Sequence, residues 1–124
     1  MPMSITGSCH CKATVFEVTT APVTVTRCTC SFCSKRGALW GYYKPSQFTL
    51  KTPRENIATY VWGSKTVKHH FCATCGCGTF TDTPDFSTGM PDFGNPIVSI
   101  NALLLDDFDL DAVEVVVIDG KNLW

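Results

Sequence analysis

Several things are missing from this 124-residue chain. No stretch approaches the roughly 18 consecutive apolar residues of a helical membrane span. Met1 to Ser8 carries no basic stretch followed by an apolar run, and Asn122-Leu123-Trp124 forms no lipidation motif, so reduced thiols and a cytoplasmic location are expected. An excess of either charge is also missing: 10 basic against 11 acidic side chains leave −1. A duplex nucleic-acid binder usually presents a basic face, so neither nucleic acid nor membrane is an expected partner. There is no repeat, no interdomain linker and no convincing helical periodicity. One domain over residues 1–124 is therefore expected, long enough to bury about two thirds of its unfolded surface.

Cysteine is what the chain has in abundance. Eight cysteines fall into three clusters, Cys9-x-Cys11, Cys28-x-Cys30-x-x-Cys33 and Cys72-x-x-Cys75-x-Cys77. Two sulfurs one or two residues apart grip a tetrahedral ion from a single turn of backbone, the usual way thiolates hold zinc. Disulfides disfavour such crowding, because close neighbours must pair elsewhere to avoid strain. Seven thiolates on two zinc ions would take the net charge to about −4, further still from a duplex binder. The acidic run Asp106 to Asp111 is a solvated loop rather than a calcium site. Counted from Asp107, the sixth position is Ala112 instead of glycine and the twelfth is Ile118 instead of glutamate.

Most of the chain reads as short strands, with alternating apolar positions rich in valine, isoleucine, threonine and aromatics. The expected strands are Thr14 to Val18, Val23 to Thr26, Leu39 to Tyr43, Phe48 to Leu50, Ile57 to Trp62, Thr66 to Phe71, Thr79 to Thr81, Ile97 to Ile100 and Val113 to Ile118. Proline- and glycine-bearing breaks separate many of them. Residues 83–96 hold Pro84, Gly89, Pro91, Gly94 and Pro96 without any period, and are expected to form a surface loop.

A structural zinc wants four ligands from two chain-distant pairs, here Cys9 with Cys11 and Cys72 with Cys75. Gly76 lets the backbone turn so that amide N–H groups face the sulfur. Such an ion staples the N-terminus to the middle of the chain, with an apparent binding energy on the order of 10–16 kcal/mol. Cys28, Cys30 and Cys33 then supply three sulfurs at the end of a strand, and three protein ligands with one vacancy is the pattern of a catalytic zinc. Cys77 is open between two readings: a fourth ligand that turns the middle site into a second staple, or a small buried apolar residue.

Together the clusters resemble the glutathione-dependent formaldehyde-activating enzyme family, whose vertebrate relatives include centromere protein V. The matching residues are Gly7-Ser8-Cys9-His10-Cys11, Cys28-Thr29-Cys30-Ser31-Phe32-Cys33 and His69-His70-Phe71-Cys72-Ala73-Thr74-Cys75-Gly76. Tyr60, Gly63-Ser64-Lys65-Thr66 and the ending Asp119-Gly120-Lys121-Asn122-Leu123-Trp124 match as well. The motifs occur in order, with gaps of 16 residues between Cys11 and Cys28 and 38 between Cys33 and Cys72. The resemblance implies a zinc-stapled all-β fold, the β-tent or Mss4-like fold. It also implies a structural ion at Cys9, Cys11, Cys72 and Cys75, and a labile or catalytic ion at Cys28, Cys30 and Cys33. It implies a carbon–sulfur lyase that joins glutathione to formaldehyde. Two positions depart from the family pattern: Thr29, where histidine is frequent, and Cys77.

The expected reaction is addition of a small thiol, glutathione or a relative, to formaldehyde or another small aldehyde. Glutathione is anionic, which makes Lys35 and Arg36 the first counter-charges and Lys65 and Lys68 the second choices. His69 alternates with Val67 and Phe71, so on a strand it shares their face, while His70 and Lys68 point the other way. His69 is a candidate at the substrate, set against a core histidine satisfied by a backbone carbonyl. His10 is expected to face outward. Trp40, Tyr42, Tyr43 and Trp62 are candidates for a pocket wall or for the core. The main rival function is a non-catalytic zinc module that binds another protein, with both ions structural. A weaker one is a thiol oxidoreductase of the methionine sulfoxide reductase type working through Cys77.

Overall fold

Alternating apolar residues sort the described residues into ten strands and two sheets. The computed structural model describes residues 4–63, 65–85 and 90–123, without the side chains of residues 122 and 123. Met1 to Met3, Ser64 of the Gly63-Ser64-Lys65-Thr66 match, residues 86–89 of the expected loop and Trp124 lie outside the described residues.

Strands β1 (Ile5–Ser8), β2 (Val15–Val18) and β5 (Phe48–Leu50) make a small antiparallel sheet in the order β1-β2-β5. The large sheet has seven strands. Its order is β10 (Glu114–Ile118), β3 (Thr24–Cys28), β4 (Trp40–Tyr43), β9 (Asp92–Asn101), β8 (Gly78–Asp85), β7 (Lys68–Cys72) and β6 (Ile57–Tyr60). Every pair in it is antiparallel except β10 beside β3. Among the described residues no helix is long and apolar enough to cross a membrane.

The period of two divides the large sheet into two unlike faces. On one, Tyr43, Val98, Ile100 and Phe80 meet Phe16 and Val18 of the small sheet in the main core. Phe48 bridges the layers, its ring 5.7 Å from Phe16 and 4.8 Å from Phe80. On the other face, pairing aligns Tyr60, His69, Thr81, Ser99 and Tyr42 in a row across five strands. Here a second, smaller cluster forms from Cys28, Cys30, Cys33, Ala38 and Trp40, with Phe32 and Trp62 packed against it.

Two sequence expectations are revised. The described residues of 83–96 are mostly strand: Thr83 pairs with Ile97, Pro84 with Pro96 and Asp85 with Asp92. Here β8 and β9 run past their neighbours, because β7 pairs only as far as Asp82 and β4 only as far as Val98. A two-stranded ribbon with open edges tolerates prolines that a central strand would reject. Helix is present too, though short: α1 (Ser31–Arg36) carries Cys33, and α2 (Gly120–Leu123) follows β10. Six residues of α1 span under two turns, too few for a period to register. His69 and His70 do face opposite ways, onto Phe32 and Phe80, and both are buried because both faces of the sheet are covered.

Candidate metal centres

The first centre joins two loops. Cys9 and Cys11 follow β1, where the Cys9 N–H donates to the Thr14 carbonyl and the Lys12 N–H returns to the Cys9 carbonyl, with Lys12 in a left-handed conformation at φ 65°. Cys72 ends β7 and begins a tight knuckle. The Thr74 and Cys75 N–H groups donate to Cys72 Sγ at 3.3 and 3.4 Å, and the Thr14 N–H donates to Cys9 Sγ at 3.3 Å. Gly76 closes the knuckle at φ 82°, its N–H on the Cys72 carbonyl at 3.0 Å. That is the role expected of it.

The four sulfurs of Cys9, Cys11, Cys72 and Cys75 lie within 4.8 Å of one another. Cys9 to Cys11 is 3.7 Å and Cys11 to Cys72 is 3.5 Å. Sulfurs about 2.3 Å from a tetrahedral zinc stand roughly 3.8 Å apart, so the donor set fits that ion. Backbone N–H groups from Cys77 and Cys11 bring the Cys75 thiol down to about 5, which favours the thiolate a metal needs.

The second centre is built by β3 and α1. Cys28 ends the strand, Cys30 caps the helix and Cys33 sits one turn in. Their three sulfurs lie within 4.8 Å of one another and all three residues are buried. Cys30 Sγ accepts the Cys33 N–H at 3.3 Å, so its sulfur serves as N-cap. Burial opposes the Cys30 thiolate, but hydrogen bonds from Cys33, Cys28 and the Phe32 N–H outweigh it and lower its pKa. Burial pushes Cys33 up to about 12. Gly37 ends the helix at φ 76°. Three sulfurs of unequal basicity on one loop can hold a thiophilic ion without filling a tetrahedron.

Cys77 joins neither set. It is half-buried beside the four-sulfur centre, within reach of Cys75, Cys9 and the His10 N–H, and its carbonyl accepts the Cys72 N–H at 2.9 Å. The reading of Cys77 as a fourth ligand of the middle site is therefore corrected. The short span from Cys75 keeps it at the four-sulfur centre, and it is not a buried core residue either.

Of the candidates around the second centre, Arg36 is held closely. Its guanidinium lies 5.1 Å from the Phe32 centroid and 5.6 Å from that of Phe71, and donates to the His70 carbonyl at 3.4 Å. Gly78 leaves the space that it occupies. Lys35, Lys65 and Lys68 are exposed, as is His10. His69 packs on Phe32 with centroids 4.3 Å apart, and its buried Nδ1 has no hydrogen-bond partner among the described residues. The expectation of a backbone carbonyl on His69 thus finds no bond at Nδ1. Burial, with Arg36 and His70 nearby, drops its pKa to about 4 and keeps it neutral. The doubly satisfied histidine is His70, bonded to Thr59 Oγ1 and to Asp82 Oδ2, each at 2.8 Å. Its bonds to β6 and β8 run across strands that sequence reading treats separately. Trp40 and Trp62 pack at the triplet, Tyr43 goes to the main core and Tyr42 is exposed.

Two cysteine clusters able to bind metal ions, hung on a pair of β-sheets, define a cysteine-rich β protein. The chain belongs to the glutathione-dependent formaldehyde-activating enzyme family, whose model matches residues 4–109, and it has that family's Mss4-like fold. It is also similar to a crystal structure of a Rhodobacter sphaeroides protein from structural genomics. That match has a TM-score of 0.72 at 30% identity and covers 91% of this chain and 99% of that one.

Proposed function

We propose that this chain, acting as one zinc-binding unit in the cytoplasm, adds a small thiol such as glutathione to formaldehyde or another small aldehyde. Cys9, Cys11, Cys72 and Cys75 hold a structural zinc, and Cys28, Cys30 and Cys33 hold a catalytic one. The observation that carries this reading is that, among the described residues, the triplet gathers no fourth ligand while Cys77 stays at the other centre. A bound zinc ion supplies Lewis acidity that favours a thiolate at neutral pH. The thiol sulfur forms a bond to the aldehyde carbon, the carbonyl π pair moves to oxygen, and the proton lost by the thiol ends on that oxygen. The product is a hemithioacetal.

The chain's own residues orient the reactants. Lys35, exposed on α1 two residues past Cys33, attracts a carboxylate of the thiol. Arg36, fixed between Phe32 and Phe71, offers a second positive charge with little freedom to lose. His69, neutral and packed against Phe32, keeps the floor beside α1 free of competing charge.

The test is exchange NMR of glutathione mixed with formaldehyde, with and without the zinc-loaded protein. Faster hemithioacetal formation, lost in Cys30→Ser while that variant stays folded, is the expected result. No acceleration by protein carrying two ions per chain would end the proposal and favour the non-catalytic module.

A further inference from the structure

Thr29 stands between two metal-binding sulfurs, yet its hydrogen bonds go to the far end of the chain. Its N–H donates to the Ile118 carbonyl at 3.0 Å, and its hydroxyl donates to the same carbonyl at 3.3 Å with Asp119 Oδ1 at 3.5 Å. The hydroxyl oxygen also accepts the Lys121 N–H at 3.3 Å. These bonds prolong the parallel register of β3 and β10, in which Ile118 lies beside Cys28.

The register brings Gly120 down onto the triplet. A methyl group on Gly120 would strike Cys28 Sγ and stand 3.0 Å from Cys30 Cβ and 3.1 Å from Cys30 N. Gly120 is buried and is not among the glycines with positive φ, so space rather than backbone freedom demands the missing side chain.

We infer that Ile118 to Lys121 form a wall of the three-sulfur centre, latched by Thr29 and seated through Gly120, which positions Cys28 and Cys30 for their ion. Both residues sit where β3 gives way to a turn, and the wall packs against them on that flank. Groups that orient ligands from behind set affinity nearly as strongly as the ligands do. The latch also gives the departure at position 29 a role: a threonine hydroxyl both donates and accepts at short range, as the two backbone partners require. Gly120 and Thr29 are positioning residues. The inference rests on the triplet binding a metal ion and is independent of the thiol–aldehyde chemistry.

The full chain is loaded with Co²⁺, and the thiolate-to-cobalt charge-transfer bands are titrated while native mass spectrometry counts ions. Gly120→Ala is expected to keep the first ion and to bind the second about 10–100-fold more weakly, the usual cost of losing such support. Thr29→Val is expected to weaken the second ion likewise, and Thr29→Ser to restore it. Wild-type affinity for two ions in both Gly120→Ala and Thr29→Val would overturn the inference. If Gly120→Ala does not fold, the Thr29→Val and Thr29→Ser pair decides, and equal retention of the second ion by both overturns it. A wild-type chain that binds one ion only overturns it as well, at the level of the metal assignment.

Discussion

The Phe32 ring lies 4.3 Å from the His69 ring, tilted by 43°, and this contact holds the helix that carries Cys33 to the large sheet. Tyr60 stacks on the same ring at 5.4 Å and Trp62 approaches it at 6.1 Å. Phe32→Ala removes the hub of this aromatic group while leaving every sulfur in place. Because Phe32 is only partly buried, the expected loss is about 2 kcal/mol, below that of a fully buried phenylalanine. Urea denaturation of the metal-loaded protein measures it, and an unchanged midpoint would show that α1 is held by other means.

The two centres are expected to differ sharply when one ligand is removed. Cys72→Ser breaks the staple between the N-terminal loop and the β7 knuckle, an ion worth on the order of 10 kcal/mol, comparable to the stability of a whole domain. That variant should lose its near-UV circular dichroism at 25 °C. Cys30→Ser should retain it and keep one ion. Equal unfolding by both variants would make both ions structural.

Gly7 has no room to spare. A methyl group there would come within 2.5 Å of Phe16 Cζ and 2.9 Å of Cε2, and Phe16 is fully buried in the main core. Gly7→Ala is expected to cost about 1–3 kcal/mol through overpacking, without touching either metal centre. Differential scanning calorimetry should show a lower midpoint, and metal content should stay at the wild-type value.

His69 ties stability to acidity. Its pKa falls from the ordinary 6.5 to about 4 on folding, so between those values the unfolded chain binds more protons. The contribution of neutral His69 is complete above pH 6.5 and is lost as pH drops through about 4. Wild type should therefore lose stability relative to His69→Phe over that window, since acid release of metal is common to both. Parallel denaturation profiles would refute a buried neutral imidazole.

Lys35 and Arg36 are expected to separate in kinetics. Lys35→Ala, an exposed change, should raise KM for an anionic thiol severalfold and leave kcat and stability unchanged, because a solvated charge contributes mainly attraction. Arg36→Ala should also lower the thermal midpoint, since it strips the stacking on Phe32 and Phe71 and the bond to the His70 carbonyl. No change in KM for either variant would remove α1 from the thiol site.

Much of the strand pattern was legible because each half-buried strand repeats every two residues. Phe48–Leu50 matches its expected bounds, and Glu114–Ile118 differs from expectation by one residue. The ribbon beyond Asp82 was not legible, because Pro84 and Pro96 look like loop residues until they are seen paired with each other at the open edges. α1 left no period to read. Its cap is Cys30, a residue seldom read as a helix start, and its stop is Gly37. The family likeness of the Asp119-Gly120 ending was visible, but not its place against Cys28, since a parallel pairing between β3 and β10 leaves no local mark.

Spacing determined the three cysteine clusters, because two sulfurs one or two residues apart can grip a common point from a single turn of backbone. Where Cys77 goes was decided only in three dimensions, where β7 and its knuckle bring it to Cys75, Cys9 and the His10 N–H. The neutrality of His69, the partners of His70 and the seat of Gly120 were decided there too. Each depends on side chains from strands far apart in sequence, and the hydrogen-bonded order of a sheet is set by the folded whole rather than by any local run of residues.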